Sequence, residues 1–247
     1  MPDSYHALAQ VYDRFTQDVD YDALYQYLKA LLSRVEAAPH SVLDLACGTG
    51  SISVRFAADG YSVIGADQSE EMLTVAADKA ADMEQPPFFI HQQMQRLRLP
   101  QTVDLCVCLL DSLNYLTDEQ DLQKTIAGVW KALSPDGWFL FDVRTPSLLR
   151  SLDNQVFLDE DEDAYCVWRG SFEDGVLTYA MDIFTRQGAL WQRRQELHEE
   201  RAWPIELLEH LLTQAGFSDI RQFGNRSFSP PDNAEERIFF LARKCTK

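Results

Sequence analysis

The sequence predicts an α/β protein with a doubly wound, seven-stranded, mostly parallel sheet and an antiparallel β insertion after the fifth strand. Two observations support this. Between residues 41 and 142, short apolar runs alternate five times with amphipathic helical segments, the order typical of a parallel sheet with helices on both faces. Between residues 150 and 202, helical periodicity is lost and runs of β type follow one another across hairpin turns.

The first predicted element is a helix over residues 21–36, because its apolar side chains recur every three or four positions. It belongs to an N-terminal helical cover over residues 1–40. Ser69 and Thr117 are the expected N-caps of the helices after the second and fourth strands, since a hydroxyl oxygen there can accept a backbone hydrogen bond. The strands are predicted at residues 41–45, 61–66, 88–90, 103–110 and 138–142.

The insertion, residues 150–202, contains two turn signals of the hairpin kind. Asp174-Gly175 and Gln187-Gly188 each separate runs rich in β-branched and aromatic residues. After the insertion, Pro204 begins a helix that Gly216 ends, because proline favours the first helical turn and glycine the residue after the last. Strands at residues 219–223 and 237–242 finish a single domain over residues 1–247.

Charge and composition restrict the function classes. The chain has 22 basic and 39 acidic residues, a formal net charge of −17, which repels a nucleic-acid phosphate backbone. The basic residues at 193, 194 and 201 are interleaved with glutamates and indicate a solvated strand. No signal peptide or bilayer-length apolar run is found, and the five cysteines form no C-x-x-C pair. We expect a cytoplasmic protein with reduced thiols, no membrane segment, no metal site and no nucleic-acid substrate.

A glycine-containing turn between the first strand and its helix indicates a nucleotide-type cofactor. Gly48 and Gly50 allow a ligand to approach the backbone, and Asp67 at the end of the second strand can accept hydrogen bonds from ribose hydroxyls. A dinucleotide fingerprint would require a third glycine at position 53, where Ser53 stands. Asp44, directly before the turn, would repel a pyrophosphate but suits an ammonium and a sulfonium. A Rossmann oxidoreductase is therefore the weaker alternative.

Four segments resemble the motifs of class I S-adenosylmethionine-dependent methyltransferases, and the resemblance spans about residues 10–145 and 203–243. It implies S-adenosylmethionine as the cofactor. Gln93 stands where members of one subgroup carry an Asp that contacts the adenine amino group, and its amide oxygen can accept the same bond. The four segments are residues 42–51, 63–73, 133–142 and 205–217. The implied cofactor-binding residues are Tyr12, Asp44, Ala46, Gly48, Gly50, Asp67, Gln68, Gln93, Met94 and Leu110.

Residues 111–116 resemble a bacterial subgroup whose relatives include small-molecule N-methyltransferases of the glycine type. The resemblance implies a small-molecule methyl acceptor, such as an amine. Asp111, Asn114 and Tyr115 follow the fourth strand at the sheet edge where ligands bind, so they are the candidate catalytic residues. A base such as Asp111 is needed only if the acceptor atom carries a proton.

The insertion is predicted to act as the substrate lid, with aromatic walls from Tyr165, Trp168 and Tyr179. The acidic run at residues 159–163 is expected to be a solvated loop rather than a metal site. A non-catalytic module that keeps the methyltransferase fold remains a second alternative, because fold alone does not determine function.

Overall fold

A computed structural model of the chain describes residues 19–245. The strands are β1 (Ser41–Leu45), β2 (Ser62–Asp67), β3 (Phe88–His91), β4 (Val103–Cys108), β5 (Leu133–Arg144), β6 (Val156–Glu160), β7 (Ala164–Glu173), β8 (Val176–Gln187), β9 (Leu190–Arg201), β10 (Phe217–Gly224) and β11 (Arg237–Lys244). The α-helices are α1 (Tyr21–Arg34), α2 (Ser51–Ala58), α3 (Glu70–Ala80), α4 (Glu119–Ala132), α5 (Pro146–Ser151) and α6 (Ile205–Ala215). No helix in this part of the chain is both long and apolar enough to span a membrane.

The larger sheet has seven strands in the order β3-β2-β1-β4-β5-β11-β10. The first five pair in parallel, β11 is antiparallel to β5, and β10 is antiparallel to β11. The predicted doubly wound, mostly parallel sheet is confirmed. The strand order reverses between β1 and β4, and in such sheets a ligand crevice lies outside the carboxyl ends of the strands at that point.

Both faces of this sheet are covered by helices. On β1, Leu43 faces a core shared with α4 and α6, whereas the adjacent Val42 faces a second core shared with α1 and α2. Both side chains are fully buried. Burial on both faces explains why the central strands are apolar at nearly every position instead of alternating.

The insertion forms a separate antiparallel sheet in the order β6-β7-β8-β9. Both predicted turns are present: Asp174-Gly175 joins β7 to β8, and Gly188 lies in the turn before β9, with positive φ at all three residues. Its inner face packs Cys166, Leu177 and Met181 against Leu149 of α5. The sheet begins after β5 and ends before α6, so both of its roots adjoin the larger sheet.

Three local features differ from the sequence prediction. The N-cap of α4 is Asp118 rather than Thr117, because its carboxylate accepts two backbone N–H bonds, at 2.8 and 3.2 Å, where a hydroxyl would accept one. A short helix, α5, follows β5, capped by Thr145. The acidic run is only partly a loop: Asp159 and Glu160 end β6 and pair with β7.

Candidate active site

The turn between β1 and α2 forms one wall of a cavity. Ala46, Gly48 and Gly50 all have positive φ, of 58°, 53° and 72°. A Cβ on Gly50 would lie 2.9 Å from the Cβ of Ala76, so packing requires glycine there, whereas a Cβ on Gly48 would meet nothing within 4 Å. Gly48 therefore faces open space at the N-terminus of α2, where a ligand can approach the backbone.

Asp67 fixes this turn from the end of β2. Its Oδ2 accepts a hydrogen bond from the N–H of Gly48 at 2.8 Å, and its Oδ1 accepts one from the N–H of Ser69 at 2.9 Å. Burial raises the pKa of Asp67, and these backbone donors oppose that change. Each carboxylate oxygen can accept two hydrogen bonds, so lone pairs remain for ribose hydroxyls.

Asp44 is buried beside the same turn, with 2% of its surface exposed. The hydroxyl of Ser53 donates to its Oδ2 at 2.6 Å. Burial raises the pKa of Asp44 to about 7. Ser53, which stands where a dinucleotide fingerprint has its third glycine, therefore serves to hold a carboxyl group that a pyrophosphate site would exclude.

A cavity of about 520 Å³ lies at the carboxyl ends of the parallel strands, between that edge of the larger sheet and the insertion. This volume is in the range of small-molecule sites. Seven predicted cofactor residues line it: Asp44, Ala46, Gly48, Asp67, Gln68, Met94 and Leu110. Four residues predicted on the acceptor side also line it: Asp111, Tyr115, Trp168 and Tyr179.

Some predicted residues lie elsewhere. Gln93 is exposed and does not line the cavity, so the expected contact with an adenine amino group is not supported. Its neighbour Gln92 does line the cavity, but the Gln92 side-chain amide is hydrogen-bonded to the backbone of Arg98. Tyr165 stacks on Phe184 at 4.3 Å rather than lining the cavity. Tyr12 lies outside the described residues.

Asn114 was predicted to act on the acceptor, and the structure corrects this. Its Nδ2 donates to the carbonyl oxygens of Arg144, at 3.2 Å, and Arg201, at 2.9 Å, while its Oδ1 accepts from the N–H of Arg144 at 3.1 Å. The side chain is fully buried and does not line the cavity. Asn114 therefore joins the loop after β4 to the ends of β5 and β9.

Asp111 lines the cavity, but its environment does not suit the predicted role of a base. It forms an ion pair with Arg237 at 2.5 Å and with Arg144 at 3.5 Å. These positive charges hold the pKa of Asp111 below its ordinary value. A carboxylate stabilised in this way is a weak proton acceptor.

The backbone at Asp111 is strained, since Leu110 and Asp111 both have φ of 56°. Left-handed conformations of this kind cost about 1–3 kcal/mol each in residues other than glycine. Asp142, at the end of β5, accepts hydrogen bonds from both N–H groups, at 2.7 and 3.1 Å. A buried carboxylate thus holds the strand-end loop in the conformation that directs Asp111 to the arginines.

Several charged or titratable residues that line the cavity were not predicted there from the sequence, among them Arg144, His198, Glu200 and Arg237. Arg144 donates to the Tyr179 hydroxyl and to Oε1 of Glu200, both at 3.1 Å. Glu200 and His198 lie two residues apart on β9 and are buried, although we expected this segment to be solvated. Side chains two residues apart in a strand lie on the same face, so this spacing could have indicated that both side chains face inward.

Fold and site together define an enzyme class that binds S-adenosylmethionine. A family model described as a methyltransferase domain matches residues 42–137. The relative named "Putative methyltransferase YqeM", from Bacillus subtilis (strain 168), is 36% identical over 245 residues, 97% of each chain. The crystal structure of an S-adenosylmethionine-dependent methyltransferase from Clostridium acetobutylicum ATCC 824 has a TM-score of 0.89 at 29% identity, covering 98% of this chain and 99% of that one.

A further relative, the glycine/sarcosine N-methyltransferase of Aphanothece halophytica, is 29% identical over 188 residues, 74% of this chain and 68% of its own. The chain belongs to the S-adenosylmethionine-dependent methyltransferase family. The residues present fit its cofactor, because Gly48 leaves open space at a helix N-terminus while Asp44 and Asp67 supply carboxyl groups for an ammonium and a ribose.

Proposed function

We propose that this methyltransferase acts on the amine nitrogen of a small acceptor. The observation that supports this is the lining of the cavity beside the insertion, where Asp159 and Glu200 lie among the rings of Tyr115, Trp168 and Tyr179. Carboxyl groups and aromatic faces both attract cations. The glycine/sarcosine N-methyltransferase relative supports the same chemistry by its name.

One end of the cavity would bind the cofactor and the other end would bind the methyl acceptor. Asp67 would hold the ribose, and Asp44 would hold the ammonium of the methionine moiety. The backbone of Gly48 would form the turn beneath both groups. When bound, S-adenosylmethionine supplies an electrophilic methyl group whose leaving group is neutral. The protein then needs to place the acceptor in line and exclude water. We assign water exclusion to the insertion sheet, as its predicted role of a lid implies.

The net charge of −17 argues against a nucleic-acid acceptor. The cysteines at 47, 106, 108, 166 and 245, all within the described residues, form no disulfide, and three of them are buried. Free, buried thiols are typical of a reducing compartment, so we place the reaction in the cytoplasm.

The test is methyl transfer to defined acceptors, followed by mass spectrometry. We expect the purified full chain with S-adenosylmethionine to methylate at least one amine in a panel of glycine, sarcosine and amino-sugar nucleotides, and to leave RNA unmodified. Trp168→Ala should raise KM for the amine, whereas Trp191→Ala, a change at an exposed tryptophan outside the cavity, should not. Methylated RNA, or no amine product, would contradict the proposal.

A further inference from the structure

Glu200 is a buried carboxyl group that the insertion directs into the cavity. It lies on β9 with Glu196 and His198, and this alternate spacing places the three side chains on the inner face. Only 1% of the Glu200 side chain is exposed, yet it lines the cavity together with Tyr179 of β8. An ionisable group in that position faces the space that the methyl acceptor would occupy.

The buried charges around Glu200 do not balance when all are ionised. Asp111, Asp142 and Glu200 are three carboxyl groups, and Arg144 and Arg237 are the two guanidinium groups paired with them among the described residues. One carboxyl group is therefore in excess. Uncompensated charge is costly in a buried site, so a proton on one of the three restores neutrality.

The hydrogen-bond partners indicate which carboxyl group holds that proton. Asp142 accepts from Arg237 and from two backbone N–H groups, and Asp111 pairs with both arginines. Glu200 is bound by a single nitrogen of Arg144, at 3.1 Å from Oε1 and 3.4 Å from Oε2. Glu200 is thus the least stabilised carboxylate of the three and the one on the insertion side of the cavity.

We propose that Glu200 is the proton acceptor that converts a bound ammonium group of the methyl acceptor into the neutral amine. An ammonium nitrogen has no lone pair, so methyl transfer requires this deprotonation. The inference rests on the proposed methylation of an amine and names the residue that makes it possible near neutral pH.

The electrostatics of the site agree with this role. Burial, followed by the negative charge of Asp111, raises the pKa of Glu200 to about 8, while Arg144 and Arg237 act in the opposite direction. Burial also raises the pKa of Tyr179, which lines the cavity beside Glu200, so its hydroxyl stays neutral. A catalytic base works best when its pKa lies near the working pH.

The step balances in atoms and charge. The carboxylate of Glu200 removes one proton from the ammonium group and leaves a neutral amine. The nitrogen lone pair then forms the N–C bond while the methyl–sulfur bond breaks, and the electron pair of that bond stays on sulfur. The product nitrogen gains the positive charge that sulfur loses, and Glu200 returns its proton to solvent after the product leaves.

The first arm of the test needs no acceptor. The full chain is labelled with ¹³C at glutamate carboxyl carbons, and the spectrum of Glu200→Gln identifies the Glu200 signal by difference. We expect that signal to titrate near the value of about 8. A midpoint below about pH 6, close to an ordinary glutamate, would overturn the inference whatever the acceptor is.

The second arm measures methyl transfer to the amine panel between pH 6 and 9. In the wild type, kcat/KM should rise with pH through the titration of Glu200, because the ionised form is the base. Glu200→Gln should remove that step and lower the rate by about 100-fold at pH 7.5, with S-adenosylhomocysteine binding retained as evidence of folding. Glu199→Gln, on the opposite face of β9, should match the wild type.

The outcomes separate the two proposals. Amine methylation by the wild type with an unchanged pH profile in Glu200→Gln overturns the role of Glu200 alone. The inference is also overturned if His198→Asn, rather than Glu200→Gln, removes the pH step; Nε2 of His198 is hydrogen-bonded to Glu196 at 2.9 Å. Absence of transfer to every amine by the wild type overturns the proposed function and the inference together.

Discussion

Asp44 shows how one residue can make cofactor binding depend on pH. Its pKa of about 7 means that the carboxyl group is mostly protonated below neutrality and ionised above it. Only the ionised form attracts an ammonium or a sulfonium. The affinity for S-adenosylmethionine should therefore increase by about five- to tenfold as pH rises from 6 to 7.5. Calorimetric titration at several pH values measures this.

Two variants make the Asp44 prediction specific. Asp44→Asn should bind the cofactor weakly and show no such pH dependence. The bond from the Ser53 hydroxyl lowers the pKa of Asp44, so Ser53→Ala should move the midpoint to higher pH. The same rise in affinity in Asp44→Asn as in the wild type would assign the pH dependence to another group.

Residues that belong to a local motif could be predicted from the sequence, whereas residues brought together by the fold could not. Asp44, Gly48 and Asp67 lie at or just beyond the ends of two strands in a recognisable order, and all three line the cavity. Glu200 and Arg237 reach the same cavity from a late insertion and the last strand. Which charges pair in a buried network depends on tertiary packing, and nothing in the spacing of these residues along the chain reveals it.

Among the elements, the loop after β4 is the joint that holds the insertion on the larger sheet. Besides the three hydrogen bonds of Asn114, Nε of Arg201 donates to the carbonyl of Thr117, and the indole N–H of Trp203 donates to that of Leu116, both at 3.0 Å. These contacts are concentrated at the end of β9. The insertion is therefore fixed to the larger sheet at this root.

Asn114→Ala tests this joint. Loss of the amide leaves buried backbone groups without a partner, which should lower the free energy of unfolding by about 2–4 kcal/mol. For a chain of this size, Tm should fall by roughly 4–16 °C, measured by thermal denaturation. Asn225→Ala, at an exposed position, is the matched control. Equal Tm values for the two variants would show that the amide does not hold the insertion.

The ends of helices and strands could be predicted where the sequence contains residues that favour a turn. They were harder to predict where two neighbouring residues are both suitable. The Asp174-Gly175 turn was predicted because two successive residues there need positive φ, which this pair tolerates. The N-cap of α4 was placed one residue early, since both Thr117 and Asp118 are good caps in isolation. Strand β6 was missed because its acidic end resembles a solvated loop until β7 pairs with it.

For the whole molecule, the alternation of strands and helices was enough to predict the doubly wound sheet, because parallel strands need crossover helices. The sequence allowed the position of the cavity to be predicted, but not its size or its lining. It lies where the strand order reverses, but its volume and its charged wall depend on how the second sheet packs over that edge. Cofactor binding should consequently stabilise both sheets at once, as a single cooperative unit.

Ligand-dependent thermal stability distinguishes the two cofactor classes considered from the sequence. S-adenosylhomocysteine at 100 times its dissociation constant should add about 2.7 kcal/mol to the free energy of unfolding, a rise in Tm of about 5–11 °C, whereas NADH should add nothing.

Asp67→Ala should lower S-adenosylhomocysteine affinity by roughly 10- to 150-fold, the range for hydrogen bonds to a charged group. Because Asp67 also accepts two backbone N–H bonds, the variant should start from a lower Tm without ligand, so the ligand-induced shift is the quantity to compare. A shift with NADH would instead indicate a dinucleotide site, and a full shift in Asp67→Ala would mean that the ribose is held by other residues.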